Sequence, residues 1–169
     1  MTTHTLTDFD EVADALKNPN LVQALYDAGA VVMADVLLNL HGESHRARRN
    51  LEMKVFRRDF FRHYEREVFP ATLAPTLAPH VAAGRCDLVQ FGYDITMNLT
   101  ADFAGIDRPL ESAAETAALL SLVKTFSSGA TLVHSTRDHE AVNAEVRAAL
   151  DVFDATFLKP IDCTKATAD

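Results

Sequence analysis

The sequence predicts a mainly α-helical protein, and three observations support this fold class. Apolar residues recur every three or four positions through most of the 169 residues. Residues that favour helix ends, such as Asp, Ser, Gly and Pro, separate these stretches. A pattern compatible with a strand is confined to a few residues just before Asp8. We therefore expect helices, at most one short strand near the N-terminus, and a single domain over residues 1–169.

The first two helices are predicted from their caps. Thr7 is the expected N-cap of a helix with Asp10 at its N3 position and an apolar stripe that runs from Phe9 to Leu16. Residues 21–40 are apolar but irregular, which predicts a loop with one short helix. Ser44 is then the expected N-cap of an arginine-rich helix that extends to about Val55.

The remaining helices follow from similar signals. Asp59 is expected to begin a helix in which Pro70, Pro75 and Pro79 cause at least one kink or break, because proline removes a hydrogen-bond donor and crowds the preceding turn. Three more helices are predicted: from Asp87 to about Ala104 with Gly105 as its cap, from Asp107 and Pro109 to the 127–129 step, and from Asp138 to about Leu158.

Composition excludes several classes of protein. Lys and Arg total 16 against 24 for Asp and Glu, a net charge of −8 that argues against a surface built for nucleic acid or anionic lipid. The chain has neither an apolar run long enough to span a membrane nor a signal peptide at its N-terminus, so we expect a cytoplasmic protein. Two cysteines, Cys86 and Cys163, do not make a disulfide framework.

Charge is nevertheless concentrated in one segment. Residues 41–70 contain eight basic and five acidic side chains, a balance of +3, while residues 1–40 and 71–169 have balances of −5 and −6. This pattern indicates a local anionic partner. A solvated helix face with i,i+4 pairs such as Arg48 with Glu52 would give the same pattern, so both interpretations stay open.

Within the basic segment, His45 and Arg49 are the candidate site residues. They are four residues apart, so on a helix they share one face, where a guanidinium and an imidazole can bind the two oxygens of a carboxylate or phosphate. Two exposed residues on a basic helix are the alternative. His41 and His45 lack a third zinc ligand, and no nucleophile elbow or phosphate-binding glycine loop is present.

The ordered motifs of the chain resemble bacterial cytochrome P450s from helix B to helix G. The segment 38–49, LNLHGESHRARR, is similar to the start of helix C in that family, where Arg follows His after four residues. The other similar segments, in order, are TDFDEVADAL at 7–16, FRRDF at 56–60, GRCDLV at 84–89 and GIDRP at 105–109.

The resemblance implies a haem-thiolate monooxygenase. In the family, the histidine and arginine of helix C hold the haem propionates, which corresponds here to His45 and Arg49. Residues 30–37 would line a pocket for a small hydrophobic substrate, and residues 126–134 would form its lid. An electron-transfer protein would be the redox partner.

The chain departs from the family in the parts that perform chemistry. The Phe/Gly-rich loop with the cysteine iron ligand is missing, since Cys163 lies in a segment without glycine, IDCTK at 161–165. The oxygen-activating helix with its acid–threonine pair is missing too. We therefore expect a truncated or split P450 that is inactive alone and needs a separate chain for the proximal half. A non-catalytic helical domain that binds a small hydrophobic ligand or an acidic partner is the alternative.

Overall fold

The computed structural model describes residues 3–106, 108 and 111–158. Its α-helices are α1 (Phe9–Lys17), α2 (Ala30–Met33), α3 (Gly42–Glu52), α4 (Arg58–His63), α5 (Phe69–Ala83), α6 (Leu88–Ala104), α7 (Ala113–Ala130) and α8 (His139–Phe153). Short 3-10 turns occupy Asp27–Gly29, Leu37–Asn39 and Leu132–His134, and wide π-helical turns occupy Tyr64–Val68 and Asp154–Leu158.

The prediction of a mainly α-helical protein is confirmed over the described residues. None of them forms a strand, so the short strand expected before Asp8 is absent. A lone strand needs a neighbour to pair with, and this part of the chain offers none. The short helix expected within residues 21–40 is present as α2.

The starts of α1 and α3 differ from the prediction by a few residues. Asp8, not Thr7, caps α1, because its Oδ1 accepts from the backbone N–H groups of Asp10 (2.9 Å) and Glu11 (3.3 Å). The arginine-rich helix α3 begins at Gly42, which takes the left-handed backbone that glycine favours (φ 57°). Ser44 therefore lies inside the first turn of α3 and donates from Oγ to the carbonyl of His41 (3.0 Å).

The proline-containing segment does not break. The backbone stays helical from α4 through the wide turn Tyr64–Val68 and along α5, with Pro75 and Pro79 inside α5. The φ angle of proline is compatible with a helix. Each of these prolines therefore removes one backbone hydrogen bond without ending the helix. The helix begins at Arg58, one residue before the predicted Asp59.

The last three helices have strong caps. Asp87 caps α6 by accepting from two backbone N–H groups at 3.0 Å, and Gly105 (φ 68°) ends it, both as predicted. α7 begins later than predicted, at Ala113, because Ser112 and Glu115 form a capping box there. The predicted start at Asp107 and Pro109 falls on residues outside those the structure describes.

At its other end, α7 continues to Ala130, past residues 127–129, where the sequence predicts that the helix ends. Asp138 caps α8 as expected, with Oδ1 accepting from the N–H of Ala141 at 2.7 Å. The helical path continues to Leu158 through the wide turn.

The core has two apolar clusters that share α7. One joins Met97 and Ala101 of α6 to Leu119 and Leu120 of α7, with Phe157 packed against them. The other joins Leu132, Val142 and Val146, and residues of α2 and α7 pack on it: Val31, Val32 and Phe126. α6, α7, α8 and α2 are therefore held together, with α5 packed along α6.

α2 approaches α7 closely at a pair of glycines. A Cβ atom on Gly29 would lie 2.4 Å from the carbonyl oxygen of Gly129, and one on Gly129 would lie 2.8 Å from Cγ2 of Val146. Neither glycine has a positive φ, so the requirement at this crossing is steric.

Much apolar surface faces solvent. Large apolar side chains that are exposed outnumber those that are buried among the described residues. On α1 the side chains of Phe9 and Leu16 are 82% and 83% exposed. No helix in the described ranges is long and apolar enough to cross a membrane.

Candidate functional site

The predicted pair His45 and Arg49 lies on α3, one turn apart. Four residues along a helix bring side chains to the same face, as the sequence predicted. His45 is half-buried and Arg49 is exposed. Within the described part of the chain, neither side chain makes a hydrogen bond or an ion pair. Both are available for an anion from outside the chain.

α3 carries two further arginines. Arg46 and Arg48 lie on the same helix and are exposed, and neither forms an ion pair with a described residue. The example pair of Arg48 with Glu52 is not formed, but the arginines of α3 are solvated and one i,i+4 pair, His63 with Glu67, does occur in residues 41–70, so the alternative of a solvated helix face stays open. Two close pairs of polar side chains occur in residues 41–70, and both are exposed: the ion pair of Arg57 with Asp59 (3.0 Å) and the contact of Nδ1 of His63 with Glu67 (3.2 Å).

An aromatic cluster covers the next part of the chain. Phe103 of α6 contacts Phe60 and Tyr64 edge-to-face, with 5.6 Å between ring centroids in both pairs. Phe56 lies 6.0 Å from Phe61 and 6.4 Å from Phe103. Phe56 is 53% exposed and Phe61 is 48% exposed, so the cluster presents an apolar surface to solvent. This surface follows α3 directly in the chain.

The two segments expected to line and cover a substrate pocket pack on each other. Val31 and Val32 from residues 30–37 contact the cluster that contains Leu132 from residues 126–134. Leu132 is fully buried there. The structure thus brings the two segments together, and their apolar side chains serve as core.

The cysteines supply no site in the described region. Cys86 is exposed between α5 and α6 and donates weakly from Sγ to the carbonyl of Asp87 (3.4 Å). Cys163 falls outside the residues that the structure describes. The described residues contain no group of three His, Cys, Asp or Glu side chains that could hold a metal ion. His41 and His45 therefore have no third ligand among them.

A second candidate site, which the sequence reasoning missed, is a polar cavity of about 570 Å³. It lies between α5, α6 and the start of α7. Its floor is a hydrogen-bonded network around Asn98 and Asp102 of α6. Its lining residues are Ala71, Thr72, Pro75, Thr76, Pro79, His80, Asp94, Asn98, Asp102, Arg108, Glu111, Ala113 and Thr116.

Arg108 is the central side chain of this network. Its Nη2 donates to Asp102 and its Nη1 to Oδ1 of Asn98, both at 2.7 Å. The Arg108 side chain is only 8% exposed, and its Nε is buried without a hydrogen-bond partner. A buried guanidinium is stable only beside a carboxylate, and Asp102 provides one.

Threonine hydroxyls complete the network. Thr72 donates to the other carboxylate oxygen of Asp102 at 2.5 Å, and Thr116 donates to Oδ1 of Asn98 at 2.7 Å. Thr76 accepts from Nδ2 of Asn98 at 3.1 Å. The network therefore ties α5, α6 and α7 together through side chains alone.

Tyr64, in the wide turn before α5, also contacts α6. Its hydroxyl donates to the carbonyl of Leu99 at 2.6 Å. Burial raises the pKa of the Tyr64 hydroxyl above 10.0, and the negative charge of Asp102 raises it further.

The missed site had one signal in the sequence. Ala71, Pro75 and Pro79 are spaced by four and so line one face of α5, whereas the sequence alone predicts only a kink or break at the prolines. The pairing of Arg108 with Asp102 crosses the end of α6, and a six-residue separation across a helix end has no periodicity that predicts contact.

Comparison with known proteins gives no match: no family model, no curated protein and no solved structure is significantly similar to this chain.

Proposed function

We propose that this chain forms the distal-side part of a cytochrome P450-like haem protein, in which His45 and Arg49 bind the haem propionates. The observation that carries the proposal is that these two donors share one face of α3 and have no partner among the described residues. A propionate pair supplies the two carboxylates that such donors bind best. The order of P450-like motifs along the chain supports the same assignment.

The described residues fit one end of a haem. His45 and Arg49 provide donors for the carboxylates, and the exposed aromatic surface of Phe56 and Phe61 follows α3 in the chain and could pack on an apolar macrocycle. Among the described residues, Cys86 does not suit the role of the P450 iron ligand, because it is exposed and lies between α5 and α6. When bound, the haem would supply the oxidative chemistry, and this chain would orient it.

The proximal part would then come from a longer form of this polypeptide or from a separate chain. The large exposed apolar area is consistent with such a missing layer, because a solvent-exposed apolar surface of this extent favours association. On this proposal the chain by itself does not oxidise a substrate. The small hydrophobic substrate and the electron-transfer partner belong to the assembled protein.

Haemin titration of the purified chain, followed by visible absorbance, tests the proposal. We expect saturable binding that weakens about three- to tenfold in His45→Ala and in Arg49→Ala, the loss typical of a charge-assisted contact that is partly exposed. His139→Ala and Arg147→Ala are matched controls, because both residues are exposed on α8. Equal binding by all four variants would contradict the proposal.

The alternative function is a helical module whose basic segment binds an acidic protein. The unpaired arginines of α3 favour it as the second candidate. Its mark is binding that weakens steeply with salt and is insensitive to haemin. Displacement of a bound acidic peptide by haemin would contradict this alternative.

A further inference from the structure

The cavity between α5, α6 and the start of α7 has the size of a small-molecule site. Its volume of about 570 Å³ lies within the range of ligand pockets. We propose that it binds an organic cation that carries primary ammonium groups, such as a linear aliphatic diamine. The inference does not depend on haem, because none of the cavity residues lies on α3.

The hydroxyl groups of the cavity have already used their protons. Thr72 donates to Asp102, and Thr76 donates to the carbonyl of Thr72 at 2.8 Å. Thr116 donates to Asn98 or to the carbonyl of Ser112. A hydroxyl has one proton to donate, so these three can offer a ligand only oxygen lone pairs. The Nε of Arg108 is buried and has no hydrogen-bond partner among the described residues, so it does not face a ligand.

Acceptors, in contrast, remain open. Asp94 accepts from Nε2 of Gln90 with one oxygen (2.8 Å), which leaves the other oxygen, and the carboxylate of Glu111 has no hydrogen bond to a described residue. Because proline has no N–H, Pro75 and Pro79 also leave the carbonyls of Ala71 and Pro75 without the donor that a helix normally supplies. The lining therefore favours a ligand rich in N–H donors.

The charge of the lining agrees with this balance. Three carboxylates (Asp94, Asp102 and Glu111) and one guanidinium (Arg108) line the cavity, and these four groups together carry a formal charge of −2. Arg108 is engaged by Asp102, so the charge that remains for a ligand belongs to Asp94 and Glu111. Two carboxylates and an apolar wall of Pro75 and Pro79 match two ammonium groups joined by a methylene chain.

Isothermal titration calorimetry with 1,5-diaminopentane tests the proposal, and 1,5-pentanediol serves as the neutral analogue. We expect saturable binding of the diamine and none of the diol. Asp94→Asn and Glu111→Gln should each weaken diamine binding about tenfold, because each removes one charged acceptor. Both substitutions preserve side-chain shape, and the asparagine can still accept from Gln90.

The matched control is Asp151→Asn, which removes one exposed carboxylate of α8 outside the cavity. It should bind the diamine like the wild type. If Asp151→Asn lost as much affinity as Asp94→Asn, the diamine would only respond to the net charge of the chain, and the proposal would be wrong. Absence of saturable diamine binding, or equal binding of the diol, would overturn it too. Circular dichroism of each variant confirms that the helices are intact.

Discussion

The crossing of α2 and α7 provides a sharp test of the fold. In Gly29→Ala, the new Cβ would lie 2.4 Å from the carbonyl oxygen of Gly129, at least 0.6 Å closer than real Cβ contacts allow. Both partners at this contact are backbone, so no side chain can rotate away. α2 must move away from α7, which loosens the contacts of Val31 and Val32 with the second core cluster.

The expected cost follows from overpacking. Gly29 has φ −96°, which alanine adopts freely, so backbone strain adds nothing and the clash accounts for the whole effect. Overpacked core sites lose about 1–3 kcal/mol, which for a domain of this size corresponds to a decrease in Tm of roughly 2–10 °C. Urea unfolding followed by far-UV circular dichroism measures the change.

Gly92→Ala is the matched control for this prediction. Gly92 lies inside α6 with φ in the ordinary range, and a Cβ there would meet nothing within 4 Å. Alanine should therefore stabilise the protein by about 0.5–1 kcal/mol, because it has the higher helix propensity. A Gly29→Ala variant as stable as the wild type would refute the close approach of α2 to α7.

Three further predictions concern the polar network and its helices. Arg108→Met should lower the free energy of unfolding, measured with urea, by about 2–3 kcal/mol. This is less than the full value for a buried pair, because the side chain of Asp102 is 27% exposed. Adding Asp102→Asn should recover part of the loss. The pKa of Tyr64 is raised in the folded state, so the stability contributed by its neutral hydroxyl is present below pH 10.0 and is lost as pH rises through the folded pKa. Above pH 10.0, the stability of the wild type should therefore fall more steeply than that of Tyr64→Phe. Thermal melts across pH measure the difference. Ser112→Ala should cost about 1 kcal/mol by removing the capping box of α7, while a wild-type melting curve for this variant would contradict the assigned start of that helix.

Helix existence could be predicted well from the sequence because it depends on local patterns. Asp87 and Gly105 mark the ends of α6, and Asp138 marks the start of α8, because their capping groups act on backbone atoms two to four residues away. The error at Ser44 has the same local origin. Gly42 permits a left-handed backbone and starts the helix earlier, so the serine falls inside the first turn.

Tertiary contacts could not be predicted in the same way. The approach of Gly29 to Gly129 joins positions a hundred residues apart, and nothing local to either glycine indicates the other. The cavity around Arg108 likewise depends on how α5, α6 and α7 pack. The shared helix face of His45 and Arg49 could be predicted, because their spacing is a property of a single helix.

The most direct test of the proposed function compares haemin with its dimethyl ester, in which both propionates are neutral. Non-specific adsorption to exposed apolar surface would affect both compounds alike, so the preference for haemin isolates the propionate contacts. We predict that the wild-type chain binds haemin about three- to tenfold more tightly than the ester, and that His45→Ala/Arg49→Ala loses this preference. An equal preference in the wild type and the double variant would contradict the assignment of His45 and Arg49 as the propionate-binding pair.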